Sequence, residues 1–251
     1  YKTYLINTMG TLNILEISRK SKFVRSLICV TSDKCYESNF STKGFKETDR
    51  LGGVDPYSGS KAAAEIIIKT YIESYQKKQN LIGIASARAG NVMGGGDQSP
   101  NRLIPDIVNS LQSKKKIILR NPNFNRPWQH VIDPLNGYLM LGAYLYKNPK
   151  KFSGAWNFGT EKNTVTSVLM IVKYAIKNWG YGQLKIKKQK KFYEQTNLQL
   201  NIEKSKKILK WKPKYKISES VKLTIEWYKN VFNNKISPED ITKKQILDYM
   251  K

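Results

Sequence analysis

The pentapeptide YSGSK at residues 57–61 places the Tyr57 phenol and the Lys61 ammonium four residues apart. If this stretch is helical, both groups lie on one face and can act together. Asp55 and Pro56 directly precede it, and this pair is typical of a helix N-cap and first helical position. Tyr57 would then lie in the first turn, where the helix dipole favours negative charge. The pattern predicts a phenolate general base assisted by Lys61; a surface Tyr and Lys on an amphipathic helix is the alternative.

Short apolar runs alternate with amphipathic stretches along the rest of the chain. Strands are predicted at 26–31, 81–87, 116–120 and 155–158, and helices at 3–20, 56–76, 104–111, 131–145, 165–178, 203–209, 218–232 and 242–250. This alternation predicts an α/β fold, with helices on both faces of a parallel sheet. Active groups in such sheets lie at the carboxyl ends of strands. Residues 32–34 and 88–91 fall at two such ends.

The charge of the chain is strongly basic, with 44 Lys and Arg against 19 Asp and Glu and a net charge of +25. An anionic partner and lysine-rich solvated faces are the two interpretations. The lysine clusters at 114–116 and 185–191 lack interleaved aromatic residues, which favours solvated faces, so we predict no nucleic-acid partner. A negatively charged small substrate is compatible with both.

Other features of the composition restrict the class of protein. A chain of 251 residues with 40% hydrophobic residues can bury a sizeable core. No apolar run approaches the roughly 20 residues of a membrane span, so no membrane partner is predicted. Cys29 and Cys35 are too few for a disulfide framework, which indicates a reducing compartment and predicts a cytoplasmic protein. Because His130 is the only histidine, no metal site is predicted.

Several motifs, in this order, resemble the extended short-chain dehydrogenase/reductase family and, within it, the CDP-glucose 4,6-dehydratases. The matching stretches are Asn7 with Gly10-Thr11, TSDKCY at 31–36, DPY at 55–57 with Lys61, ARAGNV at 87–92, RLIP at 102–105, RNP at 120–122, RPWQHV at 126–131 and WNFG at 156–159. The resemblance covers residues 1 to about 232. It is more specific for the wider family than for the cytidine-sugar branch.

The resemblance implies two domains. Residues 1–96 and 128–159 would form what remains of a Rossmann-like, NAD-binding domain that lacks its first strands. Residues 97–127 and 160–235 would form a smaller α/β substrate domain, followed by a tail at 236–251. Family members begin with a strand and a glycine-rich turn that holds the cofactor pyrophosphate. Nothing similar precedes Tyr1, so we expect an amino-terminally truncated fragment that lacks about 90 residues, and weak NAD binding or turnover by the fragment alone.

The resemblance also implies a reaction: oxidation at sugar C4, elimination of water across C5–C6 and hydride return to C6. Tyr57 would take the C4 hydroxyl proton, and Lys61 would assist it and hold the nicotinamide ribose. Ser32 would hydrogen-bond the C4 oxygen, and Asp33 would protonate the departing hydroxyl. Lys34 would be the C5 base or an electrostatic stabiliser of the enolate; a simple ion pair with Asp33 is its structural alternative.

Binding roles follow from the same resemblance. The cofactor is expected to be NAD, bound by Tyr57, Lys61 and Asn7. The substrate is expected to be a nucleotide sugar, bound by Arg88, Asn91, Arg102, Leu103, Pro105, Arg120, Arg126 and Glu194. Arginine suits the phosphates because it binds them bidentately. The helices at 3–20 and 56–76 correspond to the pair that forms a homodimer in this family.

The sequence leaves two alternatives to CDP-glucose dehydration. A nucleotide-sugar 4-epimerase, or a 4,6-dehydratase for another nucleotide, is the nearer one, because an epimerase needs the tyrosine but not Asp33 and Lys34. A non-catalytic basic binding protein that retains the fold is the more distant one. Intact Tyr57, Lys61, Ser32 and Asp33 argue against it.

Overall fold

The computed structural model describes residues 1–37, 44–76, 82–162, 164–187 and 199–251. Its helices are α1 (Lys2–Tyr4), α2 (Gly10–Lys20), α3 (Pro56–Tyr71), α4 (Leu103–Gln112), α5 (Ile132–Lys147), α6 (Pro149–Phe152), α7 (Val168–Trp179), α8 (Ile217–Phe232) and α9 (Pro238–Met250). Its strands are β1 (Ser26–Val30), β2 (Gly83–Ala89), β3 (Val92–Met93), β4 (Ile117–Leu119), β5 (Asn125–Arg126), β6 (Gln129–His130), β7 (Gly154–Phe158), β8 (Thr166–Ser167) and β9 (Leu184–Ile186). Within these ranges, no helix is long and apolar enough to cross a membrane.

The chain divides into two compact units. Unit 1 contains Tyr1–Gly90, Pro134–Lys162 and Asn197–Pro213, and unit 2 contains Asn91–Asp133, Asn163–Thr196 and Lys214–Lys251. The terminal residues, expected to be a tail, include α9 and belong to unit 2. Whether the two units bind cofactor and substrate respectively stays a prediction.

Unit 1 is built on a parallel sheet. In its described part, three strands pair in the order β1-β2-β7, with Cys29 opposite Ser86 and Ala87 opposite Trp156. Side chains alternate across a strand, so Ile84 packs in one core with Leu15 and Ile68, while Ala85 and Ala87 pack in another with Leu141 and Trp156. Helix α2 therefore packs in the first core and α5 in the second, while α3 contributes Ile68 to the first and Ala62 to the second. The predicted α/β fold with a parallel sheet is confirmed.

Unit 2 is built mainly from helix packing, and α4, α7 and α8 bury a common apolar core that includes Ile107, Ile171 and Ile225. In its described residues the strands form short pairs, parallel between β3 and β6 and between β4 and β9, and antiparallel between β5 and β8. Helix α7 ends at Gly180, whose positive φ of 101° suits a left-handed cap.

One fully buried carboxylate connects three segments of unit 2. Asp133 is 0% exposed. It accepts hydrogen bonds from the backbone N–H groups of Lys214 (2.7 Å) and Tyr215 (3.4 Å), and from the Tyr249 hydroxyl in α9 (3.0 Å). Burial raises the pKa of Asp133, and these donors offset part of the desolvation cost of the charged form.

Most predicted elements are found within a few residues of their expected bounds. The final helix, expected at 242–250, begins earlier at Pro238, because the Ser237 side chain caps it by accepting a hydrogen bond from the Asp240 backbone N–H (3.0 Å). The helix expected at 203–209 is a π-helical segment, Ser205–Leu209. There are two further π-helical segments in the described residues. Leu5–Met9 directly precedes α2, and Ile72–Gln76 directly follows α3.

Glycines of α5 provide a matched test of packing in unit 1. A Cβ at Gly137 would lie 2.4 Å from two ring atoms of Phe158, whereas one at Gly142 would meet only Ile28 Cδ1, at 3.5 Å. The Phe158 ring is fixed by edge contacts with Tyr138 and Trp211. We expect Gly137→Ala to lower the free energy of unfolding by about 1–3 kcal/mol, and Gly142→Ala to raise it by about 0.5–1 kcal/mol through helix propensity. Urea unfolding measures both, and equal effects would contradict the packing described here.

His130 predicts a pH dependence of stability. Its ring is buried against the edge of Tyr215, and burial lowers the pKa of His130 to about 4. The unfolded chain, with a histidine pKa of about 6.5, takes up the proton first as the pH falls. This contribution to stability is therefore complete above pH 6.5 and is lost towards pH 4. We expect a loss of about 2 kcal/mol from this group between pH 8 and pH 5. Comparing urea unfolding of the parent and of His130→Asn at both pH values isolates it; identical pH dependences would contradict the assignment.

Candidate active site

Helix α3 begins as the sequence predicts. The Asp55 side chain accepts hydrogen bonds from the backbone N–H groups of Tyr57 (2.9 Å) and Ser58 (3.1 Å), and Pro56 is the first helical residue. The Ser58 hydroxyl, and then these backbone bonds, lower the pKa of Asp55. Tyr57 thus lies in the first turn, and its side chain is 41% exposed. The predicted N-cap is confirmed, and it presents the phenol at the positive end of the helix.

Three predicted site residues, Ser32, Asp33 and Lys34 (the polar trio), lie in a short turn just after the carboxyl end of β1. The Ser32 side chain caps the 3₁₀ turn Asp33–Cys35 by accepting a hydrogen bond from the Lys34 backbone N–H (3.2 Å). The Ser32 hydroxyl donates to Asp33 Oδ1 at 3.0 Å, and both side chains are buried. A hydroxyl and a carboxyl group therefore lie together at the strand end, where parallel sheets place reactive groups.

Two ammonium groups lie near this strand end. The Lys61 Nζ donates to the carbonyl oxygen of Val30, the last residue of β1, at 3.4 Å. Burial lowers the pKa of Lys61, and the charge of Glu65 opposes that shift. The Lys34 Nζ lies 5.9 Å from the centre of the Tyr57 ring. The structure thus brings Tyr57, Lys61 and the trio around one strand end, and it adds a contact between Lys34 and Tyr57 that sequence spacing did not predict.

Asn7 connects the amino-terminal helical stretch to α3. Its Nδ2 donates to Ser60 Oγ at 3.0 Å, and the Ser60 hydroxyl donates to the Tyr57 carbonyl at 2.7 Å. The neighbouring Thr8 hydroxyl donates to the Ser60 carbonyl at 3.0 Å. Asn7 therefore supports the turn that carries Tyr57; its predicted role in cofactor binding stays a prediction.

Arg88 lies in a buried network that the sequence did not predict. It is 3% exposed, and its Nη2 forms a 2.6 Å ion pair with Glu65 Oε2. Its Nη1 donates to the Tyr36 hydroxyl at 2.8 Å, which in turn donates to Asn157 Oδ1 at 2.7 Å. This placement does not favour the predicted contact between Arg88 and substrate. The one available sequence signal was Glu65 itself, four residues after Lys61 in an Ala- and Ile-rich helix.

The other predicted substrate-binding residues belong to unit 2. Arg102 and Arg120 are exposed, whereas Arg126 is half-buried, with its guanidinium 5.4 Å from the centre of the Phe124 ring. Leu103 and Pro105 lie in the first turn of α4, and the Asn91 carbonyl accepts a hydrogen bond from the Gln129 backbone N–H at 3.1 Å. Glu194 lies outside the described residues. The binding roles of all these residues stay predictions.

Two matches to known proteins identify the family of this chain. The family described as GDP-mannose 4,6 dehydratase matches residues 1–224. A CDP-glucose 4,6-dehydratase of Salmonella typhimurium is 36% identical over 257 residues, which cover 99% of this chain and 70% of that protein. The chain belongs to the GDP-mannose 4,6 dehydratase family. These two matches identify the chain as an enzyme of the hydro-lyase class.

A less similar sequence relative and two solved structures also resemble this chain. A dTDP-D-glucose 4,6-dehydratase of Bos taurus is 28% identical over 91% of this chain, which spans only 62% of that relative. A crystal structure of dTDP-glucose 4,6-dehydratase from Bacillus anthracis in complex with NAD has a TM-score of 0.75 and 26% identity, covering 90% of this chain and 68% of that one. The structure of a UDP-glucose 4-epimerase from Thermotoga maritima has 22% identity and a TM-score of 0.76, covering 91% of this chain and 71% of that one. At this level of identity the likeness shows the fold alone.

Proposed function

We propose that the protein carrying this chain is an NAD-dependent CDP-glucose 4,6-dehydratase that forms CDP-4-keto-6-deoxyglucose. The observation that carries the proposal is the grouping of Tyr57, Lys61 and the Ser32–Asp33–Lys34 turn around the end of β1. The 36% identity to a CDP-glucose 4,6-dehydratase supports the cytidine sugar. The NAD in the Bacillus anthracis structure supports the cofactor.

The residues at the end of β1 fit a nicotinamide cofactor and a sugar hydroxyl. An ammonium has three donors; one Lys61 donor is directed to the Val30 carbonyl, and the remainder suit the hydroxyls of a ribose. NAD, when bound, would supply the oxidation and reduction of the sugar. Tyr57 would take the proton from the C4 hydroxyl. Ser32 would hydrogen-bond the C4 oxygen, and Lys61 and Lys34 lie at the same strand end as the phenol.

Elimination needs an acid for the departing C6 hydroxyl, and Asp33 is the group in this turn that can provide it. Its carboxyl is 4% exposed, which excludes most competing water. Lys34, held over the Tyr57 ring, would stabilise the enolate or remove the C5 proton. The Asp33–Lys34 pair favours dehydration over 4-epimerisation, because an epimerase has no water to eliminate.

Asp33→Asn tests this division of roles. The amide keeps the size of the side chain but its N–H protons are not acidic, so we expect kcat for dehydration to fall about 10²–10⁴-fold. Oxidation at C4, which needs Tyr57 and the cofactor but not Asp33, should continue at close to the parent rate and leave the cofactor reduced. The measurements are product formation from CDP-glucose and, in a single turnover, the absorbance of the reduced cofactor. Equal losses in both steps would contradict a role for Asp33 in elimination alone.

The substrate is tested by offering CDP-, dTDP-, UDP- and GDP-hexoses to the protein that carries this chain. The proposal predicts a 4-keto-6-deoxy product, with the highest kcat/KM for CDP-glucose. Recovery of a C4 epimer in place of the keto sugar would replace the proposal with an epimerase. A higher kcat/KM for another nucleotide would retain the dehydratase and correct its substrate.

The remaining predictions about partners depend on this function. Exposed apolar side chains on α2 and α3, among them Ile14, Ile17 and Ile66, are compatible with the predicted homodimer through these helices. Phosphate binding by Arg102, Arg120 and Arg126 and a cytoplasmic location belong to the same proposal.

A further inference from the structure

Glu65 places a carboxylate in the interior of unit 1, where it is 3% exposed. Its Oε1 accepts a hydrogen bond from the Thr31 hydroxyl. Its Oε2 accepts from the Ser86 hydroxyl at 2.7 Å and from Arg88 Nη2 at 2.6 Å. All three partners are themselves buried. We call these four residues the Glu65 cluster.

Stability alone does not account for such a cluster. Burying two charges costs several kcal/mol per ion, and apolar residues of similar volume often give equal or greater stability. An apolar pair, however, cannot hold a hydroxyl at a fixed distance and direction. The hydrogen bonds of the Glu65 cluster therefore matter for the relative placement of the segments that they connect.

Those segments carry the proposed catalytic residues. Thr31 directly precedes Ser32, and Lys61 lies one helical turn before Glu65 on α3. Helix α3 is thus bonded to two successive residues at the end of β1: Lys61 to the Val30 carbonyl, and Glu65 to the Thr31 side chain. The Thr31 backbone N–H also donates to the Ala87 carbonyl of β2 at 2.9 Å.

We infer that Glu65 is a positioning residue, which holds the Ser32–Lys34 turn at the correct distance from Tyr57 and Lys61 through its hydrogen bond with Thr31. The inference rests on the proposed function. Arg88 neutralises the carboxylate, and Ser86 fixes its second oxygen to the central strand. Misplacement of a catalytic group by about 1 Å can cost about 10²-fold in rate, so a single hydrogen bond at this point has a large effect on turnover.

Thr31→Val and Ser86→Ala form a matched pair of tests, because each removes one hydroxyl from the Glu65 carboxylate and leaves the ion pair intact. Only Thr31 connects Glu65 to the turn that carries Ser32. We expect Thr31→Val to lower kcat for the nucleotide sugar at least tenfold, with KM changed less than about twofold. Ser86→Ala should keep kcat within about twofold of the parent. Thr31→Ser restores the hydroxyl and should recover kcat to within about threefold.

Urea unfolding of the same variants separates positioning from general stability. Similar losses of unfolding free energy in Thr31→Val and Ser86→Ala, with a loss of kcat only in Thr31→Val, support the inference. Full kcat in Thr31→Val, or an equal loss of kcat in Ser86→Ala, overturns it while the parent remains an active dehydratase. A parent protein that converts no nucleotide sugar overturns the proposed function, and the inference with it.

Discussion

Tyr57→Phe is expected to lower the rate of CDP-glucose dehydration by about 10²–10⁴-fold, the usual contribution of a positioned proton acceptor. The substitution keeps the ring and its place in the first turn of α3, but removes the oxygen that would accept the C4 proton. Since oxidation at C4 comes first, neither the reduced cofactor nor the keto sugar should form at the parent rate. The measurements are product formation and the absorbance of the reduced cofactor in the protein that carries this chain.

Tyr146→Phe is the matched control for this variant. Tyr146 lies in α5 and is 65% exposed, so the same loss of one hydroxyl should leave the rate unchanged. If Tyr57→Phe kept the full rate, Tyr57 would not be the base, and the grouping at the end of β1 would need another proton acceptor. Reduced cofactor without product would instead place Tyr57 in the elimination step.

Arg88→Met is expected to lower the free energy of unfolding by about 3–5 kcal/mol, because it leaves the Glu65 carboxylate buried without its cation. The methionine side chain occupies a similar path but donates no hydrogen bond. The remaining hydroxyl donors, Thr31 and Ser86, cannot neutralise the charge. Urea unfolding at pH 8 measures the loss.

Glu239→Gln provides the control for this variant. Glu239 pairs with Lys243 at 2.7 Å on the exposed face of α9, and such surface pairs contribute about 0–1 kcal/mol. The double variant Glu65→Leu/Arg88→Met should recover part of the stability lost in Arg88→Met, since it removes the uncompensated charge. An effect of Arg88→Met no larger than that of Glu239→Gln would contradict the need of the buried carboxylate for its cation.

Local sequence rules predicted those parts of the candidate site that depend on near neighbours. The Asp55 cap, Pro56 and the position of Tyr57 follow from preferences within a few residues. Alternating apolar segments predicted the parallel sheet, and the end of β1 located the Ser32 turn. These features need no knowledge of which segments meet in space.

The Arg88–Glu65 pair could not be predicted in the same way. The two residues are 23 positions apart, and they meet because β2 directs Arg88 towards the face that α3 covers. Nothing in the sequence around Arg88 distinguishes a buried arginine from one that binds phosphate. The early start of α9, in contrast, has a local signal. Ser237, Pro238 and the two acidic residues that follow are typical of a helix start. The prediction of this helix used only the spacing of apolar residues, which begins later.

The hydrogen bonds of Asp133 make two remote sites in unit 2 thermodynamically coupled. Removal of the last helical turn and replacement of the carboxylate would both eliminate the bond from the Tyr249 hydroxyl. Because that bond can be lost only once, the two changes made together should cost less than the sum of their separate effects. Variation near residue 249 is therefore constrained by the side chain at position 133, 116 positions earlier in the chain.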